Sequence, residues 1–234
     1  MDEKSLSRAF SESLKEESIS CVSNLAEVGL DAILEDGLLK DVPIISTAVS
    51  IYKIGSSLLD RHNLRKLIVF LNKINEGIID DEKRIEYQQQ LRDNEKFKNQ
   101  QIEYLLILIN RYTSYEKPIA LAKLFLAYLD YIITWEELVN YSETIDLLLS
   151  SDIDILKSQD CTGEIYILNR TLGNECYLRF VAAGLLCEKF DKSGMVSDGN
   201  GGFAVTWDAL QKTQQEEKTY VFTEYGIKMI RLLK

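Results

Sequence analysis

The 234-residue chain is poor in proline, in histidine and in closely spaced cysteines. Its two prolines are Pro43 and Pro118, and most of its glycines follow residue 160. Both residues interrupt helices, so a first two-thirds nearly free of them suits a stack of helices. The single histidine, His62, argues against Ser–His–Asp or Cys–His catalysis and against histidine-rich metal sites. It stands in Arg61-His62-Asn63-Leu64-Arg65-Lys66, where neighbouring cations oppose the basicity that a general base needs. Cys21, Cys161, Cys176 and Cys187 have neither zinc-knuckle nor redox-motif spacing and read as unpaired, mostly buried thiols of a reducing cytosol.

Other signals are missing as well. Met1-Asp2-Glu3-Lys4-Ser5 is polar and acidic, unlike a secretory signal, so a cytoplasmic location is expected. No glycine-rich loop ends in Lys-Ser or Lys-Thr to cradle a phosphate. The loop from Asp198 to Phe203 has one acid, an asparagine and three glycines, but Ala209 occupies the place of a calcium loop's bidentate glutamate. The cluster Asp80-Asp81-Glu82 sits where acids stabilise a helix start, Asp152-Ile153-Asp154 flanks the domain junction, and capping is expected of them ahead of metal binding. The expectation is a non-enzymatic chain with no catalytic residue, no metal, no cofactor and no small-molecule substrate.

Basic charge is also short. The net charge is −10, and from residue 150 onward about twelve acids face ten bases, so the excess lies earlier. An acidic chain is repelled by nucleic-acid phosphates and anionic lipid unless it carries a local basic patch.

The pattern that is present is helical. Leu6, Phe10 and Leu14 suggest a surface helix, and Val22, Leu25, Val28, Ile33 and Leu34 continue the period up to Asp36-Gly37. Val42–Leu59 is the most apolar stretch of the N-terminal half, and a further helix runs through Leu67–Leu71 to end at Asn75-Glu76-Gly77. Asp80-Asp81 should open a charged, solvent-facing helix reaching Lys98. Residues 101–149 form the expected core: Ile102–Ile109 and Ile119–Ile133 are apolar nearly all round, as suits a central helix or an oligomer interface. Thr113 with Glu116 and Thr134 with Glu137 have capping-box spacing.

After residue 150 the texture changes. Glu175–Ala183 reads as helix, Leu185–Phe190 as strand, and Ser197-Asp198-Gly199-Asn200-Gly201-Gly202 as a hairpin tip. Residues 207–218 are polar, and Glu164–Leu168 fits a strand or a short helix. Tyr220-Val221-Phe222 is β-prone, and Thr223 then caps a helix through Leu233. The fold class expected is mainly α, with a helical bundle over 1–150 and a winged-helix-like α+β domain over 151–234.

Such domains often read DNA through one helix. The nucleic-acid alternative rests on Arg179, Lys189 and Lys192, but the helix has one base and the tip has none. A membrane alternative rests on Ile44 and Ile51, on one face with Ala48, Gly55 and Leu58, followed by Arg61, Arg65 and Lys66. Lys53 lies inside that stretch, and a central lysine costs about 3 kcal/mol on insertion.

Pro43-Ile44-Ile45 through Tyr52-Lys53-Ile54-Gly55 to Asp60-Arg61 and Leu71 is one distinctive piece. Tyr115-Glu116-Lys117 through Leu124-Phe125 and Ala127-Tyr128-Leu129 to Ile133-Thr134-Trp135-Glu136-Glu137 is another. With Ala183-Gly184-Leu185-Leu186 and Thr223-Glu224-Tyr225-Gly226, they resemble uncharacterised bacterial proteins of helical-plus-winged-helix design over about residues 40–234. The resemblance implies a bacterial or phage setting in mobile-element or anti-phage biology, and it carries over no functional residue. The leading expectation is a regulatory module that binds a protein partner or itself.

Overall fold

The computed structural model describes residues 58–77, 81–159, 174–188, 195–197, 203–205 and 220–234. The helices expected before residue 58, the element at 164–168 and the segment 207–218 lie outside the described residues. The described part is mostly helical. The chain divides into two compact units, Met1–Lys157 with Leu233, and Ser158–Leu232 with Lys234.

In the first unit, α1 spans Leu58–Glu76, α2 Asp81–Asp93, α3 Glu95–Arg111, α4 Glu116–Leu129, α5 Trp135–Leu147 and α6 Ser150–Ser158. The expected domain boundary at residue 150 coincides with the start of α6, most of which groups with the first unit. Helix α4 is the hub, packing chiefly on α1 and α5. It buries Ala120, Leu121, Leu124 and Phe125 completely, and its alanines leave room for neighbouring helices to approach. Against it α1 buries Leu64, Leu67, Ile68, Phe70, Leu71 and Ile74. Each fully buried Phe or Leu contributes about 1.5–3 kcal/mol relative to exposure.

An aromatic ladder runs through this core. Phe125 lies 6.1 Å from Phe70, 5.6 Å from Tyr87 and 6.1 Å from Tyr128 between ring centroids. Trp135 extends the ladder, 5.5 Å from Tyr128 and 5.7 Å from Tyr104. Gln101 ties two rings together: it accepts from the Tyr87 hydroxyl at 2.9 Å, and its amide donates to Tyr128 Oη at 2.9 Å. Buried polar groups paired in this way avoid the cost of desolvation without a partner.

Three expectations need correction. The charged helix does not run unbroken to Lys98: it stops at Asp93, and α3 starts at Glu95. Tyr87 on α2 is buried, so that helix faces solvent on one side only. Helix α3 is not buried on every side: Ile102, Leu105, Leu106, Leu108 and Ile109 are buried, whereas Glu103, Ile107 and Asn110 are exposed. The Thr113–Glu116 box does not form, because Tyr115 is the N-cap of α4. Had Thr113 been the cap, Pro118 would sit past the first turn, where its ring clashes and its missing N–H breaks a bond. The Thr134–Glu137 box does form, with Thr134 Oγ1 accepting from Glu137 N at 3.2 Å and Glu137 Oε2 accepting from Thr134 N at 2.9 Å.

The second unit contains α7 (Asn174–Ala182), β1 (Leu186–Glu188), β2 (Met195–Ser197), β3 (Phe203–Val205), β4 (Tyr220–Phe222) and α8 (Glu224–Leu233). Strands β1 and β4 pair antiparallel with Leu186 opposite Phe222, and β2 and β3 pair antiparallel with Ser197 opposite Phe203. The second pair flanks the Gly-rich stretch that the sequence marks as a hairpin tip. Helix α7 directs Cys176 and Phe180 inward, with Phe180 6.5 Å from Phe222. Thr223 is the N-cap of α8, as expected, accepting from Gly226 N at 3.0 Å. Its hydroxyl also lies 2.7 Å from the Gly184 carbonyl. A Cβ on Gly226 would fall 2.3 Å from the Leu185 carbonyl oxygen, so only glycine fits there.

Candidate functional site

Among the described residues of the first unit, a polar constellation gathers at the α3–α4 connection, where His62, Arg65 and Lys66 of α1 meet it. A cation run is ordinarily a solvated face, but Lys66 is 1% exposed. Its ammonium donates to the Asn110 carbonyl at 2.9 Å and to the Tyr112 carbonyl at 2.5 Å. Those carbonyls lie at the C-terminal end of α3, where a helix leaves acceptors without intrahelical donors and carries partial negative charge. Burial pushes the Lys66 ammonium down to about 8, which still leaves it charged at neutral pH. The membrane alternative alone would place Lys66 at lipid headgroups; in the structure it is a core cap, with its head engaged by carbonyls.

Lys117 repeats the device one helix on. It donates to the Asp146 carbonyl at 2.8 Å, near the end of α5, and its ammonium lies 5.7 Å from the Tyr112 ring centroid. Burial lowers its pKa, opposed by the Asp146 carboxylate. Arg111 pairs with Asp146 beside it. Tyr104 Oη and Ser142 Oγ lie 2.8 Å apart. Asp152 accepts from Leu149 N at 2.9 Å and holds the start of α6, a helix that the sequence reading did not place at the domain junction.

His62 Nδ1 lies 3.1 Å from Tyr115 Oη, and the Arg65 guanidinium sits 5.9 Å from that tyrosine's ring centroid. Burial lowers the histidine's pKa, as do Lys66 and Arg65, against a backbone hydrogen bond at Thr113. An imidazole made less basic, with a phenol at Nδ1, is poorly set up as a general base. Chemically the corner anchors helix ends: both lysine heads are engaged by backbone carbonyls. Among the described residues no group of three His, Cys, Asp or Glu could hold a metal ion.

Of the remaining sequence candidates, only Arg61 and Arg179 fall among the described residues. Ile44, Ile51, Lys189 and Lys192 lie outside the described residues, and Arg61 is placed on α1. No helix among the described residues is long and apolar enough to cross a membrane. Arg179 is half-buried in the last turn of α7.

Around Arg179 the sequence reading missed a feature. Leu178 and Val181 are 56% and 36% exposed, and Ala182 is exposed beside them. Since Cys176 and Phe180 point inward, these three form an outward apolar strip. The signal was present, because α7 carries apolar residues at more positions than one buried stripe consumes.

No family model, no curated protein and no solved structure matches this chain.

Proposed function

We propose that this chain is a non-enzymatic interaction module that works through protein contacts and associates with itself. The observation that carries the reading is the outward strip of α7. A helix that reads DNA offers cations and hydrogen-bonding side chains to phosphates and base edges. Helix α7 offers Leu178, Val181 and Ala182 to solvent instead, the chemistry of a protein contact. The run 102–133 adds less support than its sequence suggested, because most of its apolar residues are buried within the first unit.

The finer assignments belong to the same proposal. The order of α7, β1, the β2–β3 pair, β4 and α8 suits a winged-helix-like domain used for protein contact. The bacterial mobile-element or anti-phage setting rests on the sequence resemblance. The test is light scattering on the full chain across a concentration series, with Leu178→Asp as comparison. Self-association that Leu178→Asp weakens supports the reading, and a wild-type monomer at high concentration refutes it.

Arg179 motivates the second reading, a DNA-binding regulator. It requires the full chain to bind duplex with an affinity that falls steeply with salt and that Arg179→Ala weakens.

A further inference from the structure

Two helices of this chain end in the same hydrogen-bonded motif, with opposite choices of residue. At the end of α7, Leu185 N donates to the Phe180 carbonyl at 2.8 Å and Gly184 N to the Val181 carbonyl at 3.0 Å. At the end of α4, Ile132 N donates to the Ala127 carbonyl at 2.9 Å and Tyr131 N to the Tyr128 carbonyl at 3.0 Å. Both are Schellman ends, in which one residue turns left-handed and the next commonly packs back on the helix. At α7 the left-handed residue is Gly184, with φ 72°, and Leu185 is fully buried. At α4 the left-handed residue is Tyr131, with φ 58°, and Ile132 is 60% exposed.

Neither choice at α4 favours the helix end. A Cβ makes the left-handed region costly, and an exposed Ile forfeits the contact that stabilises the motif. Strain of this kind persists where surrounding contacts hold it, and it gathers at ligand clamps and binding sites. The Tyr131 ring is held from α2: its hydroxyl donates to Glu86 Oε2 at 2.7 Å, and the Lys83 ammonium lies 5.8 Å from its centroid. Lys83 also donates to the Asp130 carbonyl at 3.1 Å. A fixed aromatic beside an exposed aliphatic loses little side-chain entropy when a partner covers it, as interface anchors require.

The charges nearby select the partner. Glu86 and Glu136 are exposed, the Asp130 carboxylate is partly so, and Lys83 already faces Asp130. We propose that the Asp130–Ile132 corner docks a partner segment whose apolar face is flanked by lysine or arginine. The inference rests on the interaction reading and names a surface and a partner chemistry for it. Complementary charge would speed encounter and give binding a salt dependence, while Tyr131 and Ile132 supply the apolar anchor.

The test uses the full chain and a fluorescein-labelled amphipathic peptide of leucine and lysine, about 18 residues long, against the same peptide with glutamate for lysine. The lysine peptide should bind, more weakly at high salt, and the glutamate peptide should not. The double variant Tyr131→Gly/Ile132→Ser changes no charge, and it should lower affinity about tenfold or more without lowering the thermal midpoint. Equal binding by the double variant, equal binding of the glutamate peptide, or no binding of the lysine peptide overturns the proposal. A chain that self-associates but ignores the lysine peptide overturns this surface and leaves the interaction reading standing. A strictly monomeric chain that binds the peptide through this corner upholds the surface and removes self-association.

Discussion

The ammonium of Lys66 closes the end of α3 by bonding the carbonyl of Tyr112, 46 residues further along the chain. One side chain of α1 thereby performs what helices usually assign to a local glycine turn, and it couples α1 to the α3–α4 connection. A positive head near the negative end of a helix dipole is favourable in itself.

Removing that head should be costly. Lys66→Met keeps the length of the side chain but deletes both donors, leaving the Asn110 and Tyr112 carbonyls without them. The expected loss is about 1–3 kcal/mol, read as a lower midpoint in urea unfolding of the full chain.

Stability should pass through a maximum on the alkaline side. Burial lowers Lys66 from its ordinary 10.5 to about 8, and it lowers Lys117 and Lys123 as well. Between pH 8 and 10.5 the unfolded chain therefore holds protons that the folded chain has released, so stability rises with pH. Tyr87 and Tyr112 act the other way, since burial raises both. Above about pH 10 the unfolded tyrosines ionise first and stability falls. Urea midpoints measured from pH 7 to 11 should rise and then drop, and Lys66→Met should lose much of the rise. A flat profile in the wild type would contradict the burial of these groups.

Gly226→Ala should loosen the second unit. The added methyl would lie 2.3 Å from the Leu185 carbonyl oxygen, which is backbone and has little room to move. Overpacking of this kind costs about 1–3 kcal/mol. Faster hydrogen exchange in α8 of the variant, with exchange in α4 unchanged, is the expected result.

The features that were legible in the sequence are those decided within a few residues. Thr134 and Glu137 satisfy each other's backbone, and Thr223 meets Gly226 within one turn, so spacing alone identifies both caps. Strands β2 and β3 flank a glycine-rich tip whose conformational demands are written in its composition. Where distant residues compete, the reading failed. Thr113 and Glu116 have the spacing of a box, but Pro118 shifts the helix start to a position that a local pattern does not register. Asn94 breaks a charged helix without a proline or glycine to mark it. The capping role of Lys66 was not legible because its run of cations is local, whereas its acceptors, the Asn110 and Tyr112 carbonyls, are brought to it by tertiary packing. For the same reason the sequence identified Arg179 but not the apolar strip around it: which side of α7 faces outward depends on Phe222 and the rest of the second unit.

The rings around Trp135 give the first unit its own optical reporter. Tyr104 and Tyr128 lie within 6 Å of the indole, close enough for light absorbed by the phenols to emerge as indole emission. Opening of the α4–α5 corner would therefore register as returning tyrosine fluorescence, so folding of this unit can be followed without any added label.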